Sequence, residues 1–268
     1  MSNLLIKPSG RHGRTIHVTP ETAGWTYVGF DIIQLAAGEV TSAQTGDREV
    51  CLVLIGGKAR IAAGDLKTGL IGGRMSPFEG LPWSAYVPAG ISWEALAETD
   101  VTLAVCSAPG KIGSLPPRLI GPDDVSRETR GNGTNTRYVT NILPEGEPAD
   151  SLLVVEVVTP GGNTSSYPPH KHDRDALPHE SLLEETYYHR LKPPQGFAFQ
   201  RVYTDDRAVD ETMTVEDGDV TLVPRGYHPC SAIHGYDLYY LNVMAGPKRT
   251  WRFHNAAEHA WLLSKPHR

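Results

Sequence analysis

Apolar residues come in short runs along this chain, separated by polar turn residues. Runs rich in Val, Ile, Leu and Tyr occupy positions 26–35, 49–54, 58–62, 84–87, 93–97 and 101–107. The second half repeats the habit at 151–159, 185–191, 198–203, 212–215, 219–223 and 236–244. Runs of this length, bounded by turn residues, predict β-strands. The 27 Gly and 21 Pro are scattered among the runs, where they end strands and open turns. Helical periodicity is weak throughout. Pro122-Asp123-Asp124-Val125 suits a short helix or turn, and 255–263 suits a helical turn or two. The expected fold class is all-β.

The two halves read as loose copies of each other. The first contains Tyr86-Val87-Pro88-Ala89-Gly90-Ile91-Ser92-Trp93, the second Leu222-Val223-Pro224-Arg225-Gly226-Tyr227-His228. In both, a strand ends in Pro-x-Gly and a strongly apolar strand follows, at 101–105 or 238–243. Two tandem β-barrels or jelly rolls are the expected architecture, because closing a sheet removes its exposed edges. The stretch 109–150 is rich in Gly, Pro, Asn and charge and reads as the connection, with 111–121 its most linker-like part. The expected domains are 1–145, including that connection, and 146–268. Ile91, Ser92 and Trp93 follow the first Pro-x-Gly, where the second half has His228. The N-terminal barrel is therefore expected to be metal-free and structural.

Composition narrows the class. The chain has 268 residues, 40% hydrophobic and 21% charged, with a formal charge of -6. No basic cluster stands out, which argues against nucleic acid as a partner. Cys51, Cys106 and Cys230 lie far apart without C-x-x-C spacing. An odd number cannot all pair within one chain, so a reducing compartment is the simpler reading. The opening Met1-Ser2-Asn3-Leu4-Leu5-Ile6-Lys7 is too short for a signal peptide. No apolar run approaches the roughly 20 residues of a membrane helix. A cytoplasmic protein with no membrane partner is expected, and a homo-oligomer is left open.

The chemistry concentrates in Tyr167-Pro168-Pro169-His170-Lys171-His172-Asp173. In an extended chain, residues two apart share a side, so His170 and His172 can aim two imidazoles at one point. A carboxylate from the next strand and His228 from the Pro-Arg-Gly turn would complete a metal site. Glu184 and Glu185 face opposite sides of a strand, and one of them should point inward. Glu185 would bring Tyr187 and His189 with it, whereas Glu184 would bring Thr186, Tyr188 and Arg190. Three imidazoles and a carboxylate suit one divalent ion, Zn²⁺, Mn²⁺ or Fe²⁺. A lone H-x-H is common in exposed loops. The Glu, the turn from Gly218 to Gly226 and the His that follows, in that order, are what sharpen it.

With these motifs the chain resembles the cupin superfamily, which carries a His-x-His and Glu strand pair and a Pro-x-Gly strand end followed by His. Twelve residues, 173–184, separate His172 from Glu185, longer than the usual cupin interval, and imply a loop inserted beside the site. A closer likeness covers nearly the whole chain. It runs through Glu128-Thr129-Arg130-Gly131, Arg137-Tyr138-Val139, Ser165-Ser166-Tyr167-Pro168-Pro169-His170-Lys171-His172-Asp173, Glu184-Glu185-Thr186-Tyr187-Tyr188 and Gly196-Phe197-Ala198-Phe199-Gln200-Arg201-Val202-Tyr203. It continues through 218–229 and 236–247. These stretches are similar to the 5-deoxyglucuronate isomerase family of myo-inositol catabolism, a bicupin family related to 5-keto-4-deoxyuronate isomerase. The resemblance implies Glu185 as the ligand, through Glu185-Thr186-Tyr187. It also implies conversion of 5-deoxy-D-glucuronate to 5-dehydro-2-deoxy-D-gluconate. The donor set makes one divalent ion, Zn²⁺ or Mn²⁺, the expected cofactor.

An aldose–ketose isomerase moves a proton between adjacent carbons and needs a base, unless a hydride shifts directly. Tyr187, His189 and Asp175 are the candidates, with His179 and Glu184 behind them. The far carboxylate of a sugar acid calls for a cation, preferably a bidentate Arg. Arg201, flanked by apolar residues, is the first choice, with Arg225 and Lys171 as rivals. Gln200 has the opposite parity to Arg201, so only one of the two can face a pocket from a regular strand. The insert 173–184 is expected to sit at the barrel mouth as a lid or as a plain surface loop. Competing activities are another sugar-acid isomerase of the 5-keto-4-deoxyuronate type, an Fe²⁺ cupin dioxygenase, and a non-enzymatic sugar-binding bicupin.

Overall fold

The structure is a computed structural model that describes residues 4–263. These residues are nearly all in antiparallel strands and turns. They form two compact units, 8–126 with 141–155, and 4–7 with 127–140 and 156–263. A single cut after residue 145 therefore does not reproduce the units. Residues 4–7 belong with the C-terminal unit because Leu5–Ile6 pairs with Val220–Val223, Leu5 opposite Thr221 and Ile6 opposite Val220.

The first unit has two sheets. One runs in the order Arg118–Ile120, Trp83–Val87, Arg48–Gly56, Val101–Pro109, Gly29–Leu35, Gly13–Val18. The other runs Val40–Gln44, Ser92–Ala97, Ala59–Ala63, Leu66–Ile71. Leu52, Leu54 and Leu103 of the first sheet and Ile61, Trp93 and Ala95 of the second share one apolar core. Burying that surface is the main favourable term for the unit.

The second unit carries the chemistry. Its large sheet runs Leu5–Ile6, Val220–Val223, Glu184–Lys192, Asp237–Ala245, Leu153–Thr159, Arg137–Leu143, Ser126–Arg130. The chain passes between the units within or beside the last three of these strands. A smaller sheet runs Thr164–Ser165, Cys230–Ala232, Phe197–Tyr203, Asp210–Glu216. The strands of each unit form separate sheets and not one continuous closed barrel.

Two strands decide which side chains face inward. Glu184–Lys192 is buried along most of its length, with Glu185, Tyr187 and His189 on one face by strand alternation. Glu185 lies opposite Val223 and Met244, Tyr187 opposite Thr221 and Asn242, and His189 opposite Tyr240. Phe197–Tyr203 alternates strictly up to Val202: Phe197, Phe199 and Arg201 are exposed, while Ala198, Gln200 and Val202 are buried.

The strongest apolar runs are strands, as their pattern predicts. The stretch 109–150 is not a plain linker. It holds Arg118–Ile120, Ser126–Arg130, Arg137–Leu143 and a 3-10 turn, Gly133–Asn135. Arg118 pairs with Tyr86 and Ile120 with Ser84, partners far away in sequence that no local pattern announces. Val40–Gln44 and Leu66–Ile71, both edge-lying and largely exposed, also escape the pattern. A one-turn helix, Pro20–Ala23, is set by Thr19 and Thr22 in a capping box. Residues 122–125 form a turn, and Ala257–Leu263 is a 3-10 helix. The insert 173–184 is a hairpin, Asp173–Ala176 against Glu180–Leu182.

Candidate metal centre

Three side chains reach one point from three different strand ends. His172 follows the short strand His170–Lys171, which pairs with His254–Asn255. Its backbone is tied to the base of the hairpin, because Leu183 N donates to His172 O at 2.9 Å. The ring closes the same loop, with His172 Nδ1 3.0 Å from Leu183 O. A carbonyl only accepts, so Nδ1 carries the proton and donates, and the other ring nitrogen faces inward. That Nε2 lies 3.1 Å from Glu185 Oε2.

His228 is placed by the turn before it. Gly226 has φ +93°, and a Cβ there would stand 2.5 Å from Tyr203 O. Only glycine fits that close, left-handed position. Tyr203 and Tyr227 exchange backbone hydrogen bonds at 2.9 and 2.8 Å, which pins the turn to the smaller sheet. His228 Nδ1 then donates to Gly226 O at 2.9 Å. Its Nε2 is buried, lacks a hydrogen-bond partner, and lies 3.3 Å from Glu185 Oε2.

The donor atoms of His172, Glu185 and His228 all lie within 4.8 Å of one another. Two imidazole lone pairs and a carboxylate converge in a buried space, which is repulsive until a cation sits among them. The residues therefore fit a metal ion. Burial lowers the His228 pKa to about 3, although Glu185 pulls the other way. For His172 burial also lowers it, but the Glu185 carboxylate and the Leu183 carbonyl together pull the other way and the net shift is upward. His170 stands beside this set, half-buried, with its ring 4.9 Å from the His228 ring and 4.6 Å from Phe253. Burial takes its pKa down to about 3 as well, so it is neutral and able to ligate.

A wall of hydroxyls and rings continues from the Glu185 face. The Tyr187 ring lies 5.8 Å from His228 and 4.9 Å from Tyr240. Tyr187 OH and Ser166 Oγ share a hydrogen bond of 2.9 Å. Ser166 takes φ +50° to reach it, a backbone region that non-glycine residues rarely adopt. Ser165 Oγ bonds Tyr240 OH. Further along, buried His189 has its Nε2 3.0 Å from Gln200 Oε1 and 3.2 Å from Thr221 Oγ1. Gln200 Nε2 donates to His228 O at 3.3 Å.

Other candidates lie elsewhere. Asp175 is exposed on the hairpin and pairs with Lys248 at 3.1 Å, so the register of the insert takes it away from the base role. Arg201 is exposed and holds Asp210 with two bonds of 2.8 Å, which corrects its choice as the carboxylate receptor. Arg225 is exposed on the turn, and His179 is exposed near the tip of the hairpin. Lys171 is buried, bonded to Asp205 at 2.6 Å and Asp173 at 3.1 Å. Glu184 is buried on the opposite face of its strand, paired with Ala245. Sequence reasoning assigned no role to Ser165, Ser166, Tyr240 or Arg137. The first two lie just before the His motif, whereas Arg137 sits in the stretch read as a linker.

The KduI/IolB family pattern matches residues 4–262. A curated 5-deoxy-glucuronate isomerase of Geobacillus kaustophilus is 58% identical over 98% of this chain and 96% of its own length. The crystal structure of an IolB-like protein from Salmonella typhimurium LT2 superposes with a TM-score of 0.96 at 55% identity, covering 98% of this chain and 100% of the other. An oxalate decarboxylase of Lactobacillus farciminis gives a TM-score of 0.68 at 15% identity, over 99% and 91% of the two chains, and shows the shared cupin fold alone.

Proposed function

The chain belongs to the KduI/IolB family, and from that membership we infer that it is a 5-deoxy-glucuronate isomerase. The reaction is an aldose–ketose isomerisation from 5-deoxy-D-glucuronate to 5-dehydro-2-deoxy-D-gluconate, in myo-inositol catabolism. The observation that carries the reading is the convergence of His172, Glu185 and His228 in a chain matched along its whole length by enzymes of that name.

His170, His172, Glu185 and His228 would hold one divalent cation, and both Zn²⁺ and Mn²⁺ suit imidazole and carboxylate donors. Bound there, such an ion would supply Lewis-acid polarisation of a substrate carbonyl. On the enediol route a base must take the proton from carbon and an acid must supply one to the oxygen, and the residue assigned here is the acid. Tyr187 is the acid–base candidate nearest Glu185 on its strand face. Burial, with the Glu185 charge and Tyr240 behind it, holds its phenol well above the ordinary pKa. Tyr187 therefore acts as an O–H donor to the oxygen on which charge develops as the enediol forms. Ser166 fixes the direction of that hydroxyl. His189 is four residues beyond Glu185, about 13 Å along the strand. It is held by Gln200 and Thr221 and supports the wall on which Tyr187 rests.

The test is to incubate the purified protein with 5-deoxyglucuronate and follow the ketone carbon by NMR. Ketone should form, and should stop forming after chelation and resume on adding Zn²⁺ or Mn²⁺. Persistent absence of product in metal-supplemented protein would overturn the reading.

A further inference from the structure

A sugar acid has two ends, and the metal set accounts for only one. The cations of the second unit are mostly taken. Arg130 pairs with Glu128, Arg174 and Lys171 with Asp205, Arg190 with Asp217, Arg201 and Arg207 with Asp210, and Lys248 with Asp175. Arg137 differs. It is half-buried, and among the described residues no carboxylate lies within ion-pair distance of it. Its one hydrogen bond runs from Nη1 to Asn135 O at 3.1 Å. Asn135 is itself anchored by Nδ2 donating to Tyr167 O at 3.0 Å, at the head of the His motif.

The guanidinium lies against a bare backbone. A Cβ on Gly131 would come within 2.7 Å of Nη1, so glycine leaves the room in which the arginine lies. The neighbours that most affect its charge after burial are Tyr240, Arg130, Cys230 and Tyr187. Tyr187 and Tyr240 are the rings that line the wall beside His228. Arginine stays protonated in proteins, and a partly buried cation without a counter-charge is unfavourable. Two phenols, a thiol and another cation are the groups that act most on its charge, and among the described residues no carboxylate is paired with it. A planar fork of donors is also the best match for a carboxylate.

We infer that Arg137 is the receptor for the substrate's carboxylate, at the end of the pocket away from the carbonyl. The inference rests on the isomerase reading for its substrate and adds the residue that selects an acid over a neutral sugar.

The experiment compares metal-loaded wild type with Arg137→Met and Arg137→Lys on two substrates. One is 5-deoxyglucuronate; the other is 5-deoxyglucose, its counterpart with CH₂OH in place of the carboxylate. In Arg137→Met, kcat/KM for the acid should fall by about 10- to 100-fold, mainly through KM, as expected for loss of a charge-assisted hydrogen-bonded pair. Activity on the neutral sugar, metal content and circular dichroism should be unchanged. Arg137→Lys should lie between, since a point charge replaces a fork. It carries the test alone if the Met variant does not fold. An equal loss on both sugars, or no loss on the acid, overturns the inference. If wild type isomerises neither sugar, the isomerase reading fails separately. The carboxylate site is then judged by binding, with D-glucuronate raising Tm in wild type and not in the variant. Equal shifts in both proteins would reject it.

Discussion

Replacing Tyr187 with Phe removes one oxygen and leaves every proposed metal ligand in place. In the folded state the phenol makes a single 2.9 Å hydrogen bond to Ser166, within a wall otherwise built of ring contacts. Losing it should cost about 1 kcal/mol of stability, or roughly 2–4 °C in Tm for a protein of this size. The folded fraction would remain close to complete at 25 °C, because stabilities are typically about 5–15 kcal/mol. If Tyr187 donates to the developing oxyanion, kcat should fall by about 10²–10⁴-fold, the usual contribution of a placed acid or base. That corresponds to about 3–5 kcal/mol of barrier, several times the stability loss, so misfolding could not account for it. The assay is kcat by NMR or coupled turnover, with Tm and metal content measured on the same preparation. A variant with full metal content and a wild-type kcat would refute the role. Solvent deuterium adds a second readout: an enediol route carries the label into the product, whereas a hydride shift does not.

His172→Ala and His228→Ala should each lower bound metal as measured by elemental analysis, while circular dichroism keeps its β-type spectrum; undiminished metal in both would reject the site. Gly226→Ala meets Tyr203 O at 2.5 Å with φ +93°, so it should lower stability by at least about 1–3 kcal/mol and weaken metal retention by moving His228. The hairpin 173–184 is tied at its base by Leu183 N to His172 O and by Ser181 N to Arg252 O, both 2.9 Å. Cutting it to a short turn should leave the metal bound. If the hairpin acts as a lid that excludes water, turnover should be lost, and a wild-type rate in the shortened enzyme would show it to be a surface loop.

The residues that bear the chemistry are close together in sequence, and so they could be read early. His170 and His172 are two apart, and Pro224-Arg225-Gly226-Tyr227-His228 is a local turn whose glycine requirement is local too. Strand alternation narrowed the carboxylate to Glu184 or Glu185, and it stated that Gln200 and Arg201 could not share a side. Such statements depend on the period of two, which belongs to the chain itself. The all-β class followed from the short apolar runs and from the scattered Gly and Pro that bound them.

What remained depended on pairings between distant segments. Alternation separated Gln200 from Arg201 but did not say which of them faced in; the burial of one face of Phe197–Tyr203, where Gln200 meets His189 and the His228 carbonyl, did. The pairing of that strand with Asp210–Glu216 also brings Asp210 to Arg201, which removes the arginine from the pocket. Asp175 was lost to Lys248 in the same way. Arg118–Ile120 and Ser126–Arg130 are short or polar and carry little apolar pattern, because their order comes from partners supplied elsewhere in the fold. A local pattern can state which residues share a face. Only the assembled sheets decide what each face meets, because burial and counter-charges come from residues tens to hundreds of positions away, such as Glu216 and Asp219 on Lys7.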